Sequence, residues 1–279
     1  MWEYIIGLFA LLRAFTGIRF FLIKLRVRSP VKIAPEAQPF FNNFESKKVA
    51  LLIHGFTSSP REFRYLSKYL SKKRISSYAL LLPGHGTSPE RLAVVKNYQW
   101  IESVQESIAM LSKNYEEIYL IGNSFGGNLA LTCANYSDKI KGIITLGTPI
   151  FFRRNKLNRY FILPILRRIK LFQKKSKATR EFIRKNGGSY NIVPLRAAYE
   201  ILKVMEFSKK ELPNIKKPIL AMHVKNDPVV SEESHRYILD KVSSKDKNSF
   251  EVPESYHVFI LDKYANLANK KIFEFIKRL

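Results

Sequence analysis

Apolar residues recur along this chain in two alternating patterns. The first is a short, nearly continuous run: Lys48 to Ile53 (K-V-A-L-L-I), Tyr78 to Leu82, Ile118 to Ile121, Ile140 to Leu146, Ile219 to Val224 and Ser249 to Val252. Such runs predict strands buried on both faces. The second pattern has helical spacing. Ser59-Pro60 opens an amphipathic segment to about Lys72, with Phe63, Leu66, Tyr69 and Leu70 on its apolar side. Asn97 to Leu111 sets Trp100, Ile101, Val104 and Ile108 on one face. Asn128 to Tyr136, Ser231 to Leu239 and Ile260 to Leu279 are further helical segments, the last with Leu267, Ile272, Phe275 and Ile276 available for burial. Strands alternating with helices at this pace predict an α/β fold, a mostly parallel sheet with crossover helices. Functional residues in such sheets lie at the carboxyl ends of the strands.

Three stretches depart from that rhythm. Met1 to Ile23 is strongly apolar and about long enough to span a bilayer, at ~20 residues. Arg13 and Arg19 interrupt it. Only Glu3 precedes the apolar run and no small-x-small cleavage site follows, which does not fit a secretory signal. Lys24, Arg26, Arg28 and Lys32 follow instead, so a spanning helix would keep the main domain cytoplasmic by the positive-inside rule. Lying flat at a membrane interface with snorkelling arginines, or docking on the protein's own core, are the other two readings. Ser29-Pro30 to Phe44 reads as a connection. Residues 151–217 show much helical character, no clear strand and 19 basic against 4 acidic residues, a net +15. Their cations are interleaved with Phe161, Ile162, Leu163, Ile165, Leu166, Ile169, Leu171 and Phe172, as in a basic amphipathic surface element. The expected organisation is a membrane-associating helix (1–30), a first core part (31–149), a basic helical cap (150–217) and a second core part (218–279).

Charge and composition narrow the function classes. At 279 residues and 46% apolar content the chain can bury a sizeable core. Its formal net charge of +25 predicts attraction to polyanions. Mixing of those cations with aliphatics, and the lack of a nucleic-acid motif, favour an anionic membrane surface over nucleic acid. Cys133 stands alone, and no Cys/His cluster has metal-ligand spacing.

The candidate chemistry is centred on Gly122-Asn123-Ser124-Phe125-Gly126, a G-x-S-x-G between a strand and a helix. A serine on so tight a turn needs neighbours two residues away that are nearly free of side chain. Serine attack on a carbonyl also needs a base, an acid to orient it and donors for the oxyanion. His257 follows the last strand and is the best base. Asp227 is the only aspartate at a strand's carboxyl end and is the acid. Asp138, Asp240 and Asp246 fall near helix ends or in polar loops, and Asp262 is expected to cap the closing helix. His54, Gly55 and His85 lie in glycine turns where they line the substrate site or brace its loops. His223 reads as a core residue and His235 as solvated. The oxyanion donors are expected to be the amides of Phe125 and Phe56.

These motifs together resemble the α/β-hydrolases of the bacterial carboxylesterase and monoacylglycerol lipase group, within the wider serine aminopeptidase-like set. Leu51-Leu52-Ile53-His54-Gly55-Phe56-Thr57 resembles their oxyanion loop, Pro83-Gly84-His85-Gly86 their second glycine turn, and Trp100 a tryptophan on the helix that follows. Gly122 to Gly127, Asn226-Asp227-Pro228-Val229-Val230 and Ser255-Tyr256-His257 are similar to their elbow, acid and base loops. The resemblance covers about residues 48–149 and 212–279. It implies an α/β-hydrolase fold with a helical cap, and hydrolysis of carboxylic esters through Ser124, His257 and Asp227 without a cofactor or metal. A lipid-like or small ester is the expected substrate, monoacylglycerol or lysophospholipid among them. A peptidase, thioesterase or acyltransferase would use the same three residues, and a non-catalytic membrane-binding module is the rival of another class. Ser124 in the elbow disfavours the carboxylate-nucleophile enzymes of this fold.

Overall fold

Seven strands form the central sheet of the computed structural model, which describes residues 2–29, 32–153, 156–253 and 255–279, without the side chains of 156–161. Expectations that touch Met1, Pro30, Glu254 and the side chain of Phe161 lie outside the described residues. The chain opens with α1 (Trp2–Arg26), then β1 (Phe40–Asn42), β2 (Lys48–Ile53), α2 (Arg64–Ser71) and β3 (Ser76–Leu80). Next come α3 (Pro89–Val94), α4 (Asn97–Ser112), β4 (Glu117–Asn123), α5 (Phe125–Thr132) and β5 (Ile140–Leu146). The basic segment holds α6 (Lys156–Ile169), β6 (Phe172–Lys174), α7 (Lys177–Asn186), β7 (Ile192–Pro194) and α8 (Leu195–Glu211). β8 (Ile219–Val224), α9 (Glu232–Lys241), β9 (Lys247–Val252) and α10 (Ala265–Arg278) complete it.

The strand order is β1-β3-β2-β4-β5-β8-β9. Every pair is parallel except β1 with β3. The physical basis is visible in β2 and β4. Val49, Leu51 and Ile53 enter one core with Ile118 and Leu120, while Ala50 and Leu52 enter the other with Tyr119 and Ile121. Alternate residues point to opposite faces, so a strand apolar at both sets of positions must be covered on both sides. Trp100 and Val104 of α4, Leu129 of α5 and Met205 of α8 cover one face. Leu66 and Leu70 of α2 with Ile272 and Ile276 of α10 cover the other.

The structure corrects several local expectations. The 29–44 connection contributes β1, an edge strand, and α3 forms where no element was expected, with the Ser88 hydroxyl accepting the Arg91 amide. Residues 151–217 do contain strands: β6 and β7 pair as a small antiparallel ribbon. Three residues per strand is too short for a periodicity to register in the sequence. α8, at the end of that basic segment, packs on α5 in the main core, burying Ala197, Val204 and Met205. The predicted helix from Ser59 begins as a 3-10 turn over Pro60–Phe63, and the closing helix begins only at Ala265.

α1 is long and apolar enough to cross a membrane, by length and composition. Thr16 and Phe20 are its buried residues. Phe20 sits against Ala93 and Leu171, with the Arg196 guanidinium 3.7 Å over its ring. Trp2, Ile5, Ile6, Leu8, Leu11 and Phe15 are exposed.

Candidate active site

β4 carries the chain straight into the elbow. Ser124 takes φ 51 and ψ −119, a left-handed conformation that a non-glycine residue holds at a cost of ~1–3 kcal/mol. Its amide is held by the Leu146 carbonyl at 2.7 Å, and its own carbonyl accepts Gly127 N–H at 2.9 Å. A side chain on Gly122 would overlap the Gly126 carbonyl, and one on Gly126 would overlap the Ile53 carbonyl. The two glycines are therefore steric necessities of the turn, while Ser124 is left half-buried at its tip.

His257 lies in the loop after β9, and its Nε2 is 2.9 Å from Ser124 Oγ. Its Nδ1 is 2.7 Å from Asp227 Oδ2. Asp227 stands just beyond β8 and is almost wholly buried. Its second oxygen, Oδ1, accepts the amides of Val229 at 2.7 Å and Val230 at 3.0 Å. Burial works against its charge, but His257 and those two amides outweigh it and hold the carboxyl below its usual range. An ionised Asp227 requires the proton on His257 Nδ1, which leaves Nε2 free to accept from the serine hydroxyl. Arg153 pins this loop, its Nη1 donating to the Asp227 carbonyl at 3.0 Å.

The loop after β2 runs beside the elbow. A Cβ on Gly55 would lie 3.5 Å from Ser124 Cβ, so the residue before Phe56 packs closely on the elbow. Phe56 and Phe125 also meet edge to face, with ring centroids 6.3 Å apart. His54 and His85 are both buried in the bracing of these turns. His54 Nε2 accepts the Leu82 amide at 3.1 Å, and its Nδ1 lies 2.9 Å from the Gly55 carbonyl. His85 Nε2 accepts the Thr57 amide at 3.1 Å, and its Nδ1 lies 3.1 Å from the Pro83 carbonyl. Both rings are thus occupied by main-chain groups rather than turned toward Ser124. Burial lowers His54 to about 4 and drives His85 well below the usual imidazole range, so both are neutral. Trp100 Nε1 donates to the Pro83 carbonyl at 3.0 Å and locks the second glycine turn.

Two ionisable side chains around this loop were not foreseen. Glu62 is buried behind it. Its Oε1 accepts from Gly55 N–H at 2.7 Å and from Asn123 Nδ2 at 3.2 Å, and its Oε2 from Ser58 Oγ at 2.6 Å. Burial pushes its carboxyl up to about 7, with those donors pulling the other way. In the sequence, Ser59-x-x-Glu62 reads as a helix-capping box, yet the Ser59 side chain caps nothing and Glu62 turns inward. Lys175, just after β6, reaches Thr57 of this loop, and nothing distinguishes it in the sequence from its many basic neighbours.

The remaining candidates lie elsewhere. His223 is buried in β8. His235, expected in solvent, is instead half-buried: its ring stacks on His223 at 5.0 Å and its Nε2 meets Ser249 Oγ at 3.0 Å. Asp262 precedes the cap of α10, which is Tyr264, and accepts the Tyr264 amide at 2.9 Å and the Ser255 hydroxyl. It therefore ties down the loop that carries His257. Asp246 bonds Asn248 and Arg278. Cys133 is buried, which pushes its thiol up to about 12. Among the described residues no group of three or more His, Cys, Asp or Glu could hold a metal ion.

Comparison with known proteins identifies the family and the fold. Residues 45–264 match the family described as serine aminopeptidase, S33, and the chain belongs to that family. It is 28% identical over 233 residues to a carboxylesterase of Bacillus subtilis (strain 168), covering 83% of this chain and 93% of the relative. It is 27% identical over 255 residues to a thermostable monoacylglycerol lipase of Bacillus sp. (strain H-257), covering 87% and 95%. A solved metagenome-derived lipolytic enzyme superposes with a TM-score of 0.78 at 21% identity, covering 89% of this chain and 100% of that one. The shared fold is the α/β-hydrolase fold.

Proposed function

We propose that this member of the serine aminopeptidase S33 family is a serine hydrolase of carboxylic esters, with Ser124 as nucleophile, His257 as general base and Asp227 as its orienting acid. The observation that carries the reading is the single imidazole lying 2.9 Å from a strained serine hydroxyl and 2.7 Å from a buried carboxylate. Ser124 attacks the ester carbonyl as its proton passes to His257 Nε2. The imidazolium that forms is stabilised by Asp227, and the amides of Phe56 and Phe125 receive the oxyanion, each worth ~3–4 kcal/mol of the barrier. His257 then protonates the leaving alcohol, and the acyl-enzyme remains. Water, deprotonated by the same imidazole, releases the acid and restores Ser124. Every proton is supplied by the chain or by water, so the cycle requires no cofactor.

The relatives named a carboxylesterase and a monoacylglycerol lipase support a lipid-like or small ester as substrate. Attachment to an anionic membrane surface is part of the same proposal. Its support is the exposed apolar surface of α1 and the net +15 of residues 151–217. The cations that follow α1 favour a cytoplasmic main domain.

The decisive assay compares wild type with Ser124→Ala on p-nitrophenyl esters from acetate to palmitate, with a fluorophosphonate probe on both. Turnover and labelling that disappear together in the variant are the expected result. A wild type that neither turns over nor labels would overturn the reading.

A further inference from the structure

We propose that Lys175 is an anion-binding residue of this site, and that the favoured esters carry a phosphate or similar anionic group near the scissile bond. The inference rests on the ester-hydrolase reading and narrows its substrate class.

Lys175 immediately follows β6, with its amide held by the Asn191 carbonyl at 3.1 Å. Lys174 and Lys177 on either side are exposed, but Lys175 turns inward. Its Nζ donates to Thr57 Oγ1 at 2.6 Å and to Ser189 Oγ at 3.0 Å. Thr57 is the residue after Phe56, and Gly55 on the other side of Phe56 lies where an added Cβ would be 3.5 Å from Ser124 Cβ. The ammonium therefore stands at the lip of the loop that supplies the proposed oxyanion donor. That position is fixed from the cap: Tyr190 N–H donates to the Thr57 carbonyl at 2.9 Å, and Arg61 Nε donates to the Asn186 carbonyl at 3.1 Å.

The electrostatics of this lysine are incomplete without a ligand. Both acceptors are neutral hydroxyls, and an ammonium has three N–H groups to place. Among the described residues no carboxylate forms an ion pair with it. Glu62 acts on it only through its charge, without a direct contact. Burial brings Lys175 down to about 8, so it is still mostly charged at neutral pH. A largely buried cation without a direct ion-pair partner is destabilising, and a neutral donor would hold Thr57 and Ser189 without that penalty. The charge itself is what calls for a use, and an anionic substrate group supplies one. A charge-assisted contact of this kind is worth about ten-fold or more in affinity.

The test uses the full-length protein, with lauroyl glycerophosphate, neutral monolaurin and p-nitrophenyl butyrate as substrates. All are kept below micelle-forming concentration, so that no lipid surface contributes. Wild type should prefer the phosphate ester by about ten-fold or more in kcat/KM. Lys175→Met should abolish that preference through KM, read within the variant as the ratio of kcat/KM for the phosphate ester to that for neutral monolaurin, and Lys175→Arg should restore part of it. A wild type with no preference, or a Lys175→Met variant that loses equally on all three, would leave the lysine a structural brace and overturn the proposal. Calorimetric binding of lauroyl glycerophosphate to Ser124→Ala, with and without Lys175→Met, reads the anion site without turnover. If wild type cleaves none of the esters, the hydrolase reading fails, and this binding comparison still decides whether Lys175 holds an anion.

Discussion

Glu62 holds the amide of Gly55 at 2.7 Å, and so anchors the peptide immediately before the one that presents Phe56 N–H. The same carboxylate oxygen holds the side chain of Asn123, the residue before the elbow serine. One buried acid thus couples the proposed oxyanion loop to the proposed nucleophile.

Removing that coupling should cost turnover more than binding. Glu62→Ala is expected to lower kcat by roughly ten-fold or more, because one oxyanion donor is left free to drift. Glu62→Gln keeps an acceptor for Gly55 and should retain most activity. Steady-state kinetics on a soluble ester distinguish the two, and equal losses in both variants would contradict the positioning role.

The same residue should leave a signature in the pH dependence of stability. In the fold Glu62 keeps its proton up to about pH 7, against an ordinary value of 4.5. Between those values the folded chain binds more protons than the unfolded one, so stability falls as pH rises through the window, by ~3 kcal/mol in all. Glu62→Gln cannot lose a proton and lacks this decline. Its melting temperature relative to wild type should therefore rise between pH 5 and pH 8, roughly the edges of the window. A constant difference would refute the raised carboxyl.

Backbone strain at Ser124 predicts a separation of stability from activity. Ser124→Ala and Ser124→Gly should both be inactive. Glycine tolerates φ 51 and ψ −119 where alanine does not, so the glycine variant should be the more stable by ~1 kcal/mol. Denaturant unfolding of the two variants measures this, and an equal or lower stability for glycine would mean the elbow is relaxed.

Asp227→Asn should keep the fold and lose roughly ten-thousand-fold in kcat, since an amide no longer demands the proton on His257 Nδ1. Wild type should also lose stability in acid. The depressed Asp227 carboxyl stabilises the fold above its unfolded value, and that contribution disappears as pH falls through the folded value. The variant should lack this acid-side loss in a pH series of thermal melts.

The proposed membrane attachment should be separable from catalysis. Leu8→Glu with Leu11→Glu places two charges on the exposed part of α1, at ~2–3 kcal/mol each near a bilayer centre. Sedimentation with phosphatidylglycerol vesicles should drop sharply, and hydrolysis of p-nitrophenyl acetate should not change. Undiminished vesicle binding would exclude α1 as the anchor.

Much of this protein was legible in one dimension because its signals are local. Apolar runs at β2, β4, β5 and β8 announce strands covered on both sides, since a period of two with no polar face leaves no side for water. Gly122 and Gly126 announce the elbow, because only a missing side chain clears the carbonyls of Gly126 and Ile53. The order of Ser124, Asp227 and His257 at strand ends named three residues, which the fold then brings within hydrogen-bond distance across 133 positions of chain.

What stayed hidden depends on partners far away in sequence. Glu62 looks like an ordinary first-turn acid until Gly55 and Asn123 are packed over it. His235 has the setting of a surface histidine until β8 brings His223 beneath its ring. α8 lies in a basic stretch that reads as cover, yet one face packs on α5, because a helical period shows that a face is buried but not against what. Lys175 is one cation among many until the fold brings it onto Thr57. Local pattern prescribes which surfaces must leave water, and the packing of distant segments assigns each buried charge its partner.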